Sequence, residues 1–411
     1  MTATAPRRTP ASRDGGNGPQ PSGSPVLTYY LLAAATALLV VVGLAVVLSS
    51  TSSDALRRTG DNPYSLFLFQ VLALGVGVVA LVFGSRMPLG FWKKLAFPLL
   101  LTSIGLLLVV VAVGEASGGN RNWIRIGPAT FQPSELAKLA LALFLGVALA
   151  VGREQLTTLR GALVPGGIAA ITVLALVLIG RDMGTAIVIC LMVAAAYWVA
   201  GLPLRWFAAA GGVAVVGAIV LLNEGTSRGS RIDAWLNPET CDPQGACMQT
   251  LHGTWALASG GLWGLGPGMS REKWGYLPVA DSDFIFSIIG EEYGLVGTLL
   301  MLVAFGMLIV AVNRLVTRHS DPFVQISAAA IGAWIVGQAC INIAVVVGLA
   351  PVTGVPLPLV SSGGSSLMVS LAAIGVLMAY ARREPGAQEA FAARPSVIKR
   401  SFAVVARGRR G

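Results

Sequence analysis

Residues 25–50 read PVLTYYLLAAATALLVVVGLAVVLSS, an apolar run with no charged side chain. It is too long for the core of a signal peptide and no clear cleavage site follows it, so it is expected to be a first membrane-spanning helix. Nine further apolar runs follow near 66–84, 95–114, 134–151, 161–179, 183–201, 204–222, 284–313, 324–349 and 364–381. A span needs about 20 residues to cross about 30 Å of hydrocarbon, and each run meets that requirement. The expected fold class is therefore an all-α polytopic membrane protein of about ten transmembrane helices. A large extracytoplasmic loop, about 223–283, lies between helices 7 and 8.

Composition supports this. Of 411 residues 55% are hydrophobic and 12% charged, against about 25% charged in a soluble domain, so too little polar surface exists to cover the chain in water. The net charge of +10 does not point to nucleic acid, because the basic residues sit in short loops and at the two ends. There they set topology and meet anionic membrane lipid. Residues 1–24, rich in Pro, Gly and Ser with Arg7, Arg8 and Arg13, are expected to be a disordered cytoplasmic tail. Residues 25–383 form the transmembrane domain, and 384–411 a basic cytoplasmic tail with Lys399 and Arg400.

Placing both termini in the cytoplasm puts Arg86, Lys93, Lys94, Arg153, Arg160, Arg205, Arg314 and Arg318 inside. The outside loops still keep Arg121, Arg125, Arg181, Arg228, Arg231, Arg271 and Lys273. An anionic substrate is one reason for them; pairing with neighbouring Asp and Glu is the other. Within the large loop, LHGTWALASGGLWGLGPG (251–268) is apolar and glycine-rich, as a re-entrant or interfacial segment would be. Cys241 and Cys247 are a disulfide loop if that side is oxidising, or two free thiols. There is no P-loop and no HExxH, and His252 and His319 are too few for a multi-histidine metal site.

The candidate chemistry gathers on the outside. Asp283 in DSDFIFSIIGEEYG stands at the mouth of the eighth span. Glu291 lies eight residues on, about 12 Å along a helix, too far to act on the same bond as a second carboxylate. Asp283 is a candidate catalytic carboxylate; capping by Asp281 or Asp283 is the alternative, with Glu291 pairing to a buried cation. Glu135 and Lys138 in FQPSELAKLA share one helix face, either as a structural ion pair or as substrate contacts. Arg121 and Arg125 in GGNRNWIRIG, and Arg181 with Asp182 in GRDMGTA, lie on the same side. Arginine forks suit phosphate oxygens. PVTGVPLPLVSSGGSS (351–366) joins the last two spans and is either the lining of a headgroup cavity or a rigid turn.

These separated motifs, with NRNWIRIGPATFQPSELAKLA (120–140), RDMGTA (181–186), GLWGLGPG (261–268), LPVADSDFIFSIIGEEYGLVG (277–297) and GLAPVTGVPLPLVSSGGSS (348–366), resemble the SEDS family of peptidoglycan glycan-strand polymerases over about 25–383. The resemblance implies an inverting glycosyltransferase of the bacterial inner membrane. It would polymerise lipid II at the division septum, with Asp283 as general base and undecaprenyl pyrophosphate as leaving group. It implies substrate-binding roles for Arg121, Trp123, Arg125, Glu135, Lys138, Arg181, Asp182, Ser361 and Ser365. It also implies a class B penicillin-binding transpeptidase and other division proteins as partners. The chain departs from the family motif at Val279 and Asp281, where many members carry Glu and His. No cofactor is declared; a divalent cation, Mg2+ or Mn2+, at the pyrophosphate would be chemically reasonable. A lipid II flippase and a non-enzymatic division scaffold are the alternatives. A flippase predicts a polar path through both membrane halves, whereas the polar residues here cluster in the outer half.

Overall fold

The computed structural model describes residues 24–59, 62–117, 120–127, 129–222, 227–237, 239, 241, 242, 245 and 247–393. The expected tails lie outside these residues, apart from Ser24 and 384–393. Along the chain come α1 (Leu27–Thr59), α2 (Ser65–Arg86) and α3 (Leu89–Val113), then β1 (Glu115–Ser117), β2 (Asn120–Ile126) and β3 (Ala129–Phe131). There follow α4 (Pro133–Val151), α5 (Leu159–Ala162), α6 (Ile168–Ile179), α7 (Met183–Ala200), α8 (Leu204–Leu222), α9 (Ser227–Leu236) and α10 (Met248–Gly260). The chain continues through α11 (Ile285–Arg318), α12 (Pro322–Val346), α13 (Gly364–Ala381) and α14 (Ala387–Ala393).

Among the described residues eight helices are long and apolar enough to cross a membrane: α1, α2, α3, α4, α7, α11, α12 and α13. Of the other two expected spans, one is interrupted and one is a helix over the whole expected run. The 161–179 run is interrupted at Val164, whose backbone is extended (φ −109°, ψ 126°), just before Pro165, so α6 alone has 12 residues. A proline removes a donor and pushes its predecessor out of the helical region. The 204–222 run is α8, 19 residues. The chain is thus a polytopic helical membrane protein, with one departure from an all-α reading. The 115–131 connection is a three-stranded antiparallel meander in the order β1-β2-β3. Alternation of side chains along a strand puts Trp123 and Arg125 on one face of β2, and Asn122 and Ile124 on the other.

Helix starts follow local chemistry. Pro133 and Pro322 occupy the first turns of α4 and α12, where a missing N–H costs nothing. Asp321 caps α12 by accepting from Phe323 N at 3.0 Å, and Asp182 caps α7 by accepting from Thr185 N at 3.0 Å. α4 and α13 are the most enclosed spans, while α2 and α3 turn Leu68, Leu72, Val79, Phe97 and Leu101 outward. In water such a surface would aggregate; against lipid it is the solvated face.

α11 is broken. Gly294 sits at φ 65°, ψ −160°, a conformation glycine alone adopts without strain. The carbonyls this frees are not left bare. Leu265 N donates to Glu291 O at 2.9 Å and Gly266 N to Glu292 O at 3.0 Å. Leu295 N in turn donates to Gly261 O at 2.9 Å. The glycine-rich 261–266 stretch therefore runs beside the gap as a borrowed strand. Irregular backbone in a membrane-embedded helix requires such partners. Beneath the break, Lys273 Nζ donates to Glu292 Oε1 at 3.1 Å, to Ser49 Oγ at 2.6 Å and to the Gly268 carbonyl at 2.5 Å. Glu291 accepts from Ser270 Oγ at 2.5 Å and from Arg271 N at 2.9 Å. The buried cation thus pairs with Glu292, not with the expected Glu291. Cys241 and Cys247 form a disulfide in the segment between α9 and α10.

The borrowed strand requires close backbone contact. A Cβ at Gly260 would lie 1.9 Å from the Gly290 carbonyl oxygen, whereas one at Gly306, on the same α11, meets nothing within 4 Å. Gly260→Ala is expected to destabilise the detergent-solubilised protein by about 1–3 kcal/mol. Gly306→Ala should leave it unchanged or slightly more stable, since alanine is the better helix former. Thermal unfolding followed by size-exclusion chromatography checks both.

Candidate active site

Asp283 lies in the turn that leads into α11. Ser282 N and Phe284 N both donate to Val279 O, at 3.1 and 3.4 Å. Val279 itself holds φ 55°, a left-handed backbone that a β-branched residue rarely adopts. Two neighbouring elements fix the turn. From α12, the buried Asn342 donates through Nδ2 to the Asp283 carbonyl at 2.7 Å and to the Val355 carbonyl at 2.8 Å. From the 351–363 connection, Ser361 Oγ donates to Ser282 O at 2.6 Å and accepts from Leu357 N at 2.8 Å. Ser362 of the same connection donates twice to Asp281: Oγ to Oδ2 at 2.6 Å and N to O at 2.9 Å. Asp281, one of the two departures from the family motif, is thus a tether to the serine loop.

The carboxyl of Asp283 is half-buried and faces the backbone of Gly354, where an added Cβ would sit 3.7 Å from Oδ2. Its pKa is pushed up to about 6. Loss of water is the main cause; the Ser282 hydroxyl, 3.4 Å from Oδ1, pulls the other way. Asp281 and Asp182 push it up further, and Arg231 pulls it down. A half-buried carboxylate poised near neutrality is suited to taking a proton.

The other sequence candidates fall into four groups. Asp182 stands close enough for its charge to act on Asp283, and it is heavily bonded: Thr185 Oγ1 donates to Oδ2 at 2.8 Å and Gln132 Nε2 at 3.1 Å. Its neighbour Arg181 is exposed, with φ 63°. Glu135 and Lys138 are both buried and form an ion pair at 2.9 Å. Lys138 also donates to Gln338 Oε1 at 2.9 Å and lies over the Trp334 ring, 4.9 Å from its centre. Gln338 Nε2 in turn donates to Pro356 O at 2.8 Å, so the pair reaches the loop beside Asp283 through one amide. Ser361 and Ser365 are buried and engaged by backbone, Ser365 accepting from Gln132 N at 3.3 Å. In this arrangement they brace the loop.

On β2, Trp123 is half-buried and Arg125 exposed; of Arg121 only the backbone is described, its Cα facing Ala116 of β1. β2 packs on α3 and α4, and its Asn122 lines a small cavity with Ser134 and Asp182. That cavity is the link the structure gives between the strand and the Asp182 end of the site. Sequence reasoning missed Gln70, Gln132 and Gln338. Gln70, buried on α2, donates to Ser361 O and accepts from Gly363 N, each at 3.2 Å. Gln70 is the single amide of the 66–84 run and Gln338 shares its run with Gln325 and Asn342; an amide there must have a partner.

Among the described residues no three His, Cys, Asp or Glu side chains come together to hold a metal ion. Asp281 and Asp283 are two carboxylates in one turn. A divalent cation bound there would draw most of its ligands from substrate phosphates and water, as magnesium commonly does.

A family model described as "Cell cycle protein", covering FtsW, RodA and SpoVE, matches residues 29–385. A probable peptidoglycan glycosyltransferase FtsW of Mycobacterium tuberculosis is 40% identical over 375 residues, 90% of this chain and 71% of that protein. The stage V sporulation protein E of Bacillus subtilis is 35% identical over 345 residues, 83% of this chain and 93% of that protein. Among solved structures, one described as structural coordination of polymerization and crosslinking by a peptidoglycan synthase complex aligns with a TM-score of 0.66 at 28% identity, covering 87% of this chain and 97% of its own. The rod shape determining protein RodA of Thermus thermophilus aligns with a TM-score of 0.61 at 28% identity, covering 87% of this chain and 96% of its own. With a family match across nearly all its spans and relatives this similar over most of their length, the chain belongs to the FtsW/RodA/SpoVE family of cell cycle proteins.

Proposed function

We propose that this protein is a peptidoglycan glycosyltransferase that polymerises lipid II during septal wall synthesis, with Asp283 as general base. The observation that carries the reading is the Asp283 carboxyl, half-buried, raised to about 6, in a turn held by Asn342 and Ser361 against the Gly354 backbone. In the reaction, Asp283 takes the proton from the 4-hydroxyl of the acceptor sugar. That oxygen attacks the anomeric carbon of the lipid-linked donor. The carbon–oxygen bond to the pyrophosphate breaks, its electron pair leaves with undecaprenyl pyrophosphate, and the anomeric centre inverts to a β-1,4 link. Such a base contributes roughly 10²–10⁴-fold in rate when its pKa lies near the working pH.

The names carried by the relatives support the reaction class, and the peptidoglycan synthase complex supports a class B penicillin-binding transpeptidase as partner. The expected orientation, with both termini in the cytoplasm at the septum, puts Asp283, Asp182 and β2 on the outer side, where a long lipid tail can stay in the bilayer while its head reaches the turn. The disulfide in the same outer segment agrees with an oxidising compartment. Arg125, Arg181 and Trp123 are the residues assigned to the head group, with Arg121. Glu135, Lys138, Ser361 and Ser365 serve the site from behind by holding the loop.

The protein with its cognate transpeptidase should make glycan polymer from lipid II, and Asp283→Asn should reduce it about 10²-fold or more. Equal polymer from both would remove Asp283 from the mechanism. The wild-type rate should rise with pH through about 6 and level off above it, because the deprotonated carboxyl is the working form. A rate independent of pH between about 5 and 7 would count against the assignment.

The same shift makes a stability prediction. The folded pKa of Asp283 is raised, so its contribution to stability is full below the ordinary carboxylate value and is lost as pH rises through about 6. Asp283→Asn should therefore be more stable than wild type at about pH 7.5, by on the order of 2 kcal/mol, with the difference vanishing near about pH 3.5. Melting curves at the two pH values check this. A variant that melts lower than wild type at the higher pH would show that the burial of this charge is fully compensated.

A further inference from the structure

The charges of Asp281 and Asp182 both act on the Asp283 carboxyl, so three carboxylates share this part of the fold. A polyanion approaching them is repelled unless a cation is placed to receive it. The helix that carries one is α9, SRGSRIDAWL. Arg231 and Trp235 are four residues apart and so share a face of this helix. Trp235 is fastened to the chain just beyond the end of α12, its Nε1 donating to Gly348 O at 2.9 Å. α12 is also the helix whose Asn342 holds the Asp283 carbonyl and the Val355 carbonyl. The face of α9 that bears Arg231 is thereby directed toward the region of Asp283, and the Arg231 charge acts on that carboxyl. Arg231 itself is exposed and open to a ligand.

The second fastening is the disulfide. Cys247 is buried, with its sulfur 3.6 Å from the Ala234 carbonyl oxygen of α9. A disulfide sulfur carries no hydrogen, so this is packing and not a hydrogen bond. Its bond to Cys241, five residues beyond the end of α9, closes the short Cys241–Cys247 loop, so the chain leaving the helix is tied to the sulfur that packs against it. Such a closure restricts the open conformations available to the segment. The indole and the disulfide thus seize the same end of the helix, at Ala234 and Trp235.

We propose that Arg231 binds the phosphates of the lipid-linked substrate above Asp283, and that the Cys241–Cys247 disulfide is the clamp holding α9 in position for it. This rests on the glycosyltransferase reading for the identity of the ligand. The guanidinium presents a planar fork to two phosphate oxygens, which an ammonium cannot reproduce. It receives the negative charge that gathers on the pyrophosphate as the glycosidic bond breaks, and it keeps the Asp283 carboxyl from rising further out of the working range.

The test uses the full chain in phosphatidylcholine nanodiscs, with undecaprenyl pyrophosphate and undecaprenol as probes. Wild type, Arg231→Gln, Arg231→Lys and the double variant Cys241→Ser/Cys247→Ser are compared, together with Cys241→Ser/Cys247→Ser/Arg231→Gln. Arg231→Gln should weaken undecaprenyl pyrophosphate about tenfold to hundredfold and leave undecaprenol unchanged. Arg231→Lys should fall between. Loss of the disulfide should weaken the pyrophosphate probe in a chain that has Arg231 and add little in one that lacks it, the non-additivity expected of groups acting as a unit.

In lipid II polymerisation with the transpeptidase, the acid limb of the pH profile should move to higher pH in Arg231→Gln and stay in Arg231→Lys. The groups acting on that limb are Asp281, Asp182, Ser282 and Arg231. A merely structural arginine would move neither the limb nor the preference for the charged probe. Unchanged affinity in Arg231→Gln, equal loss for undecaprenol, or additive effects of the two lesions would overturn the proposal. So would a loss confined to nanodiscs that contain phosphatidylglycerol, which would assign Arg231 to the membrane surface. If the binding pattern holds but neither wild type nor Asp283→Asn yields polymer, the glycosyltransferase reading falls and the phosphate site stands.

Discussion

Backbone that is not helical has no automatic partners, and inside a membrane protein water does not supply them. The chain from Pro351 to Gly363, between α12 and α13, is of this kind. Its carbonyls and amides are met one at a time by side chains reaching from the surrounding spans. Gln338 takes Pro356, Asn342 takes Val355, and Gln70 takes Ser361 and Gly363. Remove those amides and the loop would have to refold or leave. Asp283 is positioned by the same set, since Asn342 and Ser361 bond its turn and the loop together.

Buried charge serves the same end twice. Lys138, neutralised by Glu135, orients Gln338 and through it the loop. Lys273, neutralised by Glu292, is anchored to Ser49 of α1 and to the Gly268 carbonyl beside the broken part of α11. Neither pair is strong evidence of stability by itself, because desolvating two ions offsets much of their attraction. What each pair does is fix irregular backbone in one arrangement. The charges were visible in the sequence as groups out of place. Gln338 as the partner of Lys138, and Glu292 as the partner of Lys273, were not, because pairing across 200 and 19 residues leaves no local pattern.

The spans were legible because apolar length is a local property. The run 364–381 coincides with α13, and 183–201 with α7 to within one residue. Asp283, Asp182, Glu135 and Lys138 were legible as candidates because ionisable residues at or within spans need a reason. Less visible was how the roles divide. Ser361 looked like a ligand contact and is engaged on both sides by backbone. The NRNWIRI stretch has no clean two-residue alternation, its first three residues being polar and the next two apolar, and it lies between two strong helical signals, so the meander did not stand out. The break at Gly294 could not be anticipated, since a single glycine within an apolar helix is ordinary until its dihedral angles are known.

A single hydroxyl, that of Ser361, closes a bridge between the Ser282 carbonyl and the Leu357 amide, joining the turn before α11 to the loop before α13. The conformational freedom of both segments is therefore lost when the chain folds, before any ligand arrives. A reacting group frozen in advance has no reorganisation left to undergo at the moment of reaction. Under the proposed glycosyltransferase reading, binding energy from the lipid and the saccharide is then free to act on alignment of the two sugars instead of on ordering the protein.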